Sequence, residues 1–334
     1  MNKIKLCICI PTYNRSKFLE VCLEYLVPQV KHKENVEVIV IDNASTDNTM
    51  NIMNAIISAH SNIHYYRNEM NIGYSGNQVK CIEYSNGQYT AILSDDDVYT
   101  DNLVDDILNI TNEREYSFIA LNYYSFMENV TKPLQANFAP TSDINFSRGY
   151  DIMNYPSVGH FSGFVFNSRL AKETLREMLQ KHSFEEYEKY RGVISDIAHR
   201  SLSKTDIPAF FFGRRKLATR IPKEVDYDLL NHQCLDYYDF FENLYNEAYI
   251  NIDDLKYRKK LVLKRLVRSV ISDCNKKNKN EMILIQKKLK KVFNDEIYFF
   301  VVVNMFFYLG RTKYFLKIVE ILNNIRKQII QFGI

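Results

Sequence analysis

Three consecutive carboxylates, Asp95, Asp96 and Asp97, close an apolar run in the stretch YTAILSDDD at 89–97. Such a run, bounded by Gly87 before and polar residues after, reads as a buried strand. Open α/β sheets bind ligands just beyond the carboxyl ends of their strands. Three acids gathered there repel one another and cost stability unless something positive sits among them. A divalent cation holding phosphate oxygens answers that need, because hard metals take carboxylate oxygens. The plainer alternative is a polar turn that is merely acidic.

The elements that position these acids are legible upstream. IKLCICI at 4–10 reads as a first buried strand, followed by a helix from about Ser16 to Val27 with Phe18, Leu19, Cys22, Leu23 and Leu26 at helical spacing. VEVIVI at 36–41 is a second strand; in DNASTDNT, Ser45 or Thr46 is expected to cap a helix at about 47–59. IHYYRN at 63–68 and a helix at about 74–85 lead to the strand that ends at Asp95. Four strand–helix alternations predict a parallel, right-handed α/β sheet.

Further along, the spacing predicts a helix at about 101–111, an apolar run at 117–121 and a mobile polar loop at 127–150. A strand and helix follow over 159–179, then a short acid-bearing helix at 191–202 and a last strand at 207–213. Glu185, Glu186 and Glu188 read as a solvated helix face. Beyond Pro222 the strand signals vanish, which predicts domains of 1–222 and 223–334, the second helical and basic. Its most apolar stretch, 297–309, is too short for a spanning helix of about 20 residues, and the amphipathic, basic run at 312–330 follows it.

Composition sets bounds. Tyr and Phe number 24 and 21 while Gly and Pro number 10 and 7, which excludes a disordered chain. The opening residues read as a strand ended by Pro11 rather than a secretory leader, and the six cysteines lack zinc or redox spacing, so reduced core thiols in the cytoplasm are expected. The net charge of +3 hides an asymmetry: 251–334 holds 19 Lys and Arg against 7 Asp and Glu. Basic segments of this kind meet phosphate, in nucleic acid or on an anionic membrane. No nucleic-acid-binding motif accompanies the charge, and no P-loop, GxGxxG or Ser/His/Asp arrangement is supported.

Four segments occur in order: CIPTYNRS (9–16), VIDNASTD (40–47), NIGYSGN (71–77) and LSDDD (93–97). Together they resemble family 2 glycosyltransferases, in the manner of bacterial abequosyl- and rhamnosyltransferase-like members that build surface polysaccharides. The resemblance is strong over about 1–100, fair to about 215 and absent thereafter. It implies a GT-A fold, an α/β Rossmann-like, mostly parallel sheet, here followed by an all-helical C-terminal segment.

The resemblance also implies roles. Pro11, Thr12 and Tyr13 would cup the nucleotide base, Tyr13 offering a ring face. Asp42 and Asn43 would read the base, although the family commonly has a second acid where this chain has Asn43. Gly73 lets backbone approach a ligand and Asn77 would bond ribose or phosphate. Asp95 would contact ribose or diphosphate, with Asp96 and Asp97 in the metal site; Ser94 stands where the common motif has its first acid. The ion would be Mg²⁺ or Mn²⁺. Asp196, in ISDIAHR, matches the region of the catalytic base; His160 is a candidate lining residue of the acceptor pocket that more simply reads as structural.

The function so implied is inverting, metal-dependent transfer of a sugar from a nucleotide-diphosphate donor to a hydroxyl of a lipid-linked bacterial glycan, by a cytoplasmic enzyme peripheral to the membrane through 251–334. A homo-oligomer is compatible with this. The rivals are a non-catalytic nucleotide-sugar-binding GT-A module and a transferase acting on polyprenyl phosphate.

Overall fold

The leading strands are apolar on both faces, so both must be covered, and helices cover them. In the computed structural model, which describes residues 3–136, 140–155, 158–181, 192–221, 234–273, 277–294, 296, 299 and 303–309, β1 (Leu6–Thr12), β2 (Val36–Asp42), β3 (Ile63–Arg67) and β4 (Tyr89–Ile92) form a parallel set in the order β3-β2-β1-β4. Three helices cross between them: α1 (Ser16–Val30), α2 (Thr49–Ala59) and α3 (Gly73–Tyr84). Leu6, Ile8 and Ile10 pack with Val36, Val38 and Val40 and with Leu19, Leu23 and Leu26 of α1 in one buried cluster. Each such side chain removed from water contributes about 1.5–3 kcal/mol. The parallel, mostly α/β expectation holds here.

The fourth strand stops sooner than expected. Pairing ends at Ile92, and 93–97 turn before a two-residue strand, β5 (Val98–Tyr99), so the acids sit in a turn rather than at a strand end. α4 (Leu103–Glu113) leads to β6 (Phe118–Phe126). The stretch at 127–150, expected as a loop, carries two short strands, β7 (Gln135–Ala136) and β8 (Ile144–Phe146), which pair with β6 and with the last strand. β9 (Phe164–Asn167) precedes α5 (Ser168–Lys181) and α6 (Val193–Ser203). β10 (Ala209–Arg220) runs seven residues past its expected end through a bulge at Phe212/Leu217, because its second half still finds partners on β6 and β5. The full order is β3-β2-β1-β4-β9-β6-β10-β5, with β9 antiparallel to both β4 and β6.

Close packing fixes two local features. A Cβ at Gly87 would lie 2.6 Å from the Cys7 nitrogen, so only glycine lets the turn before β4 lie against β1. The start of α2 is capped by neither Ser45 nor Thr46. Asp47 does this, accepting from the Thr49 amide (3.1 Å) and hydroxyl (2.6 Å), and its other oxygen takes the Ser16 amide at the start of α1 (2.8 Å). The Ser45 hydroxyl instead accepts from the Asn14 amide. Burial opposes ionisation of Asp47, but these donors outweigh it and hold the carboxyl down at about 2. A folded-state value below the unfolded one means that the contribution is present above about pH 4 and is lost as pH falls toward 2. Asp47→Ala is therefore expected to cost about 1 kcal/mol at pH 7, with urea midpoints of variant and parent converging near pH 2.

The chain divides into two compact units, Met1–Glu224 and Val225–Ile334. The second holds α7 (Asp236–Asn246), α8 (Ile252–Asp273), α9 (Lys279–Val292) and α10 (Asn304–Leu309). Phe241, Phe293, Phe299 and Phe307 are buried within it, and Asn278 and Glu281 close a capping box at the start of α9. Among the described residues no helix is long and apolar enough to cross a membrane. Glu185, Glu186, Glu188 and the run at 312–330 lie outside the described residues.

Candidate functional site

Parallel strands in register present their carboxyl ends along one rim. Thr12 of β1 is level with Asp42 of β2, and Asp42 with Arg67 of β3, while the Leu93 amide reaches back to the Cys9 carbonyl at 2.9 Å. The turn at 93–97 therefore stands beside the PTYNR segment. The structure brings Pro11, Thr12, Tyr13, Asp42, Asn43, Gly73, Asn77 and Asp95–Asp97 to this rim, but not all of them face outward.

The acid turn has protein counter-ions. The Arg15 guanidinium donates to Asp95 Oδ1 at 2.8 Å and to Asp96 Oδ2 at 2.5 Å. Thr12 donates to the other oxygen of Asp95 (2.7 Å), and Ser94 to the other oxygen of Asp96 (2.6 Å). Asp97 points inward. It accepts from the Ser162 hydroxyl (2.5 Å) and the Arg220 amide (2.8 Å), with His160 Nε2 3.0 Å away. Burial pushes Asp95 up to about 7 against the pull of Arg15. For His160, burial lowers the imidazole, but the charge and hydrogen bond of Asp97 more than offset it and the net shift is upward. Part of the need for positive charge read from the sequence is thus met by Arg15.

The neighbouring polar residues form a layer beneath the rim. Asp42 is fully buried, accepting from the Ser45 amide (2.9 Å) and the Tyr65 hydroxyl (2.5 Å) with Arg67 at 3.5 Å; burial, then Asp42, raises the Tyr65 hydroxyl. Asn43 uses its whole side chain within the protein. Its NH₂ donates to Asn71 (2.8 Å) and the Gly73 carbonyl (3.0 Å), and its oxygen accepts from Asn68 (3.0 Å) and the Ile72 amide (2.9 Å). Asn77 joins the same lattice through Asn68 and the Ile41 carbonyl, and Gly73 turns the chain into α3 at φ 81°. What faces solvent is Tyr13 at 42 %, Tyr74 at 44 %, and the side chains of Arg15 and Arg67, both at 40 %.

Asp196 belongs to a later helix. It lies buried in the first turn of α6, a helix that packs on α3 and α5, and its Oδ1 takes the Arg200 Nε at 2.6 Å.

Among the described residues no three His, Cys, Asp or Glu side chains converge to hold a metal. Of the acid turn, Asp96 is the least buried, with 17 % of its side chain exposed against 3 % for Asp95 and 2 % for Asp97. One outward carboxylate suits an ion such as Mg²⁺, which takes one or two carboxylates and completes its shell with substrate phosphates and water. The residues fit a shared site of that kind and not a protein-only cage.

Sequence reasoning missed Arg15, Arg67, Asn68 and Asn71. The available signal was a basic residue two positions after Tyr13, in a segment expected to cup the nucleotide base.

Comparison with known proteins bears on the family and the fold. The sequence model described as Glycosyl transferase family 2 matches residues 7–196. Glycosyltransferase GlyG of Streptococcus pneumoniae is 26 % identical over 121 residues, 36 % of this chain and 40 % of that protein. Abequosyltransferase RfbV of Salmonella typhimurium is 37 % identical over 90 residues, 27 % of each chain. The chain thus spans two-fifths or less of the length of these relatives. The crystal structure of S. aureus TarS 1–349 in complex with UDP-GlcNAc superposes with a TM-score of 0.53 at 13 % identity, over 92 % of this chain and 78 % of that one.

Proposed function

The chain belongs to glycosyl transferase family 2 and has a GT-A fold, and on that premise we propose that it transfers a sugar from a nucleotide-diphosphate donor to a hydroxyl of a bacterial surface glycan. The observation that carries this reading is the acid turn at 93–97 beside an exposed Tyr13, at the common carboxyl rim of β1, β2 and β4. Abequosyltransferase activity in RfbV and UDP-GlcNAc bound to TarS support the substrate classes.

Tyr13 offers its ring to the base. Asp42, Asn43 and Asn77 hold the floor of that pocket by fixing the loop of Asn68–Gly73, and Gly73 lets backbone approach the ligand. Asp95 is the inner wall facing ribose or diphosphate. Asp96 would hold Mg²⁺ or Mn²⁺, which when bound supplies positive charge to the departing diphosphate; Asp97 anchors the turn from behind through Ser162 and Arg220.

The reaction inverts. The acceptor hydroxyl attacks the anomeric carbon as the nucleoside diphosphate leaves from the opposite face, and its proton passes to Asp196. The Arg200 Nε bond holds that carboxylate in a fixed orientation. A panel of UDP-, dTDP-, GDP- and CDP-sugars, screened by thermal shift with and without Mn²⁺, identifies the donor. Asp196→Asn is expected to leave the donor-induced shift intact and lower turnover by about 10²–10⁴-fold. Retained turnover moves the base elsewhere, His160 being the next group to test. A donor bound but turned over under no condition would leave a sugar-nucleotide-binding module.

A lipid-linked acceptor fits the second unit. Lys287, Lys288, Lys290 and Lys291 of α9 are all exposed, beside Leu284 at 57 %. Each lysine at an anionic bilayer contributes about 1 kcal/mol, screened by salt. Cosedimentation with phosphatidylglycerol vesicles at low salt, reversed by high salt, is the expected result; indifference to the vesicles would end the docking proposal.

A further inference from the structure

Arg15 takes a place that a metal would also need. Asp96 Oδ2, an oxygen of the most exposed acid in the turn, receives the Arg15 Nη2 at 2.5 Å, while Nη1 binds Asp95 at 2.8 Å. The other oxygen of Asp96 is tied to Ser94 within its own turn. An ion taking Oδ2 and a guanidinium donating to it would bring two positive charges together on one oxygen, so the two occupants exclude each other.

Arg15 is also built to let go of one acid without leaving the site. Its guanidinium lies over the Phe18 ring, 5.1 Å from the centroid, and the Arg220 guanidinium lies 5.0 Å from the same centroid. The bond to the buried Asp95 and the stack on Phe18 are independent of Asp96. With Nη2 released, the fork keeps one arm on Asp95 and turns a free donor outward from a side chain that is 40 % exposed. Paired oxygens of a phosphate are the natural complement of such a donor.

We propose that Arg15 is an exchangeable counter-ion: it neutralises Asp96 in the donor-free protein and moves its Nη2 to a diphosphate oxygen when donor and metal enter. This rests on the nucleotide-diphosphate reading above. The metal then binds weakly alone, because it must displace a guanidinium. It binds far more tightly with a nucleoside diphosphate present, because the displaced group has a new partner. By linkage the nucleotide is tightened by the metal to the same degree.

The test is Mn²⁺ binding, read as loss of the free-ion electron paramagnetic resonance signal, with and without the nucleoside diphosphate found in the thermal-shift panel. In the parent protein the nucleotide is expected to tighten Mn²⁺ by 10-fold or more. Arg15→Gln is expected to bind Mn²⁺ without nucleotide about 10-fold more tightly than the parent, as Asp96 is then unguarded, and to show a smaller gain when nucleotide is added. Arg15→Lys, which keeps the charge but cannot fork across both acids, is expected to fall between them and serves if Arg15→Gln folds poorly by circular dichroism. A nucleotide-free Mn²⁺ affinity that is the same in the parent and both variants overturns the exchange while leaving the donor reading standing. Absence of Mn²⁺ and nucleotide binding in the parent overturns both.

Discussion

Asp96→Asn is expected to lower kcat/KM for the nucleotide sugar by about 100-fold or more, equivalent to about 2.7 kcal/mol of lost transition-state stabilisation. The side chain keeps its size and its oxygen toward Ser94, and Arg15 keeps Asp95, so the fold has little reason to change. What disappears is the negative charge at the single outward position of the turn. A change of less than 1 kcal/mol in unfolding free energy beside the kinetic loss would separate chemistry from stability. Turnover within 10-fold of the parent would show that the leaving diphosphate is neutralised by other groups.

Asn43→Asp is expected to cost about 3 kcal/mol of stability, although it restores the acid that the family commonly has there. The reason is the donor count. The Asn43 NH₂ donates to Asn71 Oδ1 and to the Gly73 carbonyl. A carboxylate would set an acceptor against those two oxygens and bury a charge next to Asp42, which is itself fully buried. Urea unfolding at pH 7 gives the loss directly. Below about pH 4, where an Asp can protonate and donate one hydrogen, part of it is expected to return. A neutral outcome would mean that the Asn68–Gly73 loop rearranges and that this amide lattice is not what holds it.

The first hundred residues announce their architecture because each strand is a short apolar run and each helix repeats its apolar residues every three or four positions. IKLCICI, VEVIVI and YTAIL can only be buried strands, and the motifs that follow them are forced to one rim by parallel pairing. Local pattern says nothing about strand order, so the placement of β9 between β4 and β6 was not legible. Nor was the extent of β10: GRRKLATR is polar enough to look like a loop, and it is a strand because β6 and β5 supply its hydrogen bonds. In the site, the residue types were readable and their facing was not. The family resemblance implies ligand contacts for Asp42, Asn43 and Asn77. The structure uses their hydrogen bonds to fix a loop, since each sits one layer below the surface. Arg15 escaped notice because its partners lie 80 and 81 residues away, and an ion pair at that separation leaves no trace in periodicity.

The orientation of β9 carries a consequence for how such a protein can diversify. Because this strand runs against β4, the residues just before it, among them His160 and Ser162, arrive at the same edge as the turn that follows β4. One flank of that edge is assembled from the opening third of the chain, the other from a segment some seventy positions later, and they meet through a handful of hydroxyl and imidazole contacts. Drift in the later segment is therefore felt at the acid turn wherever it touches Ser162 or His160, and is free to remodel the neighbouring surface only where it leaves those two contacts in place.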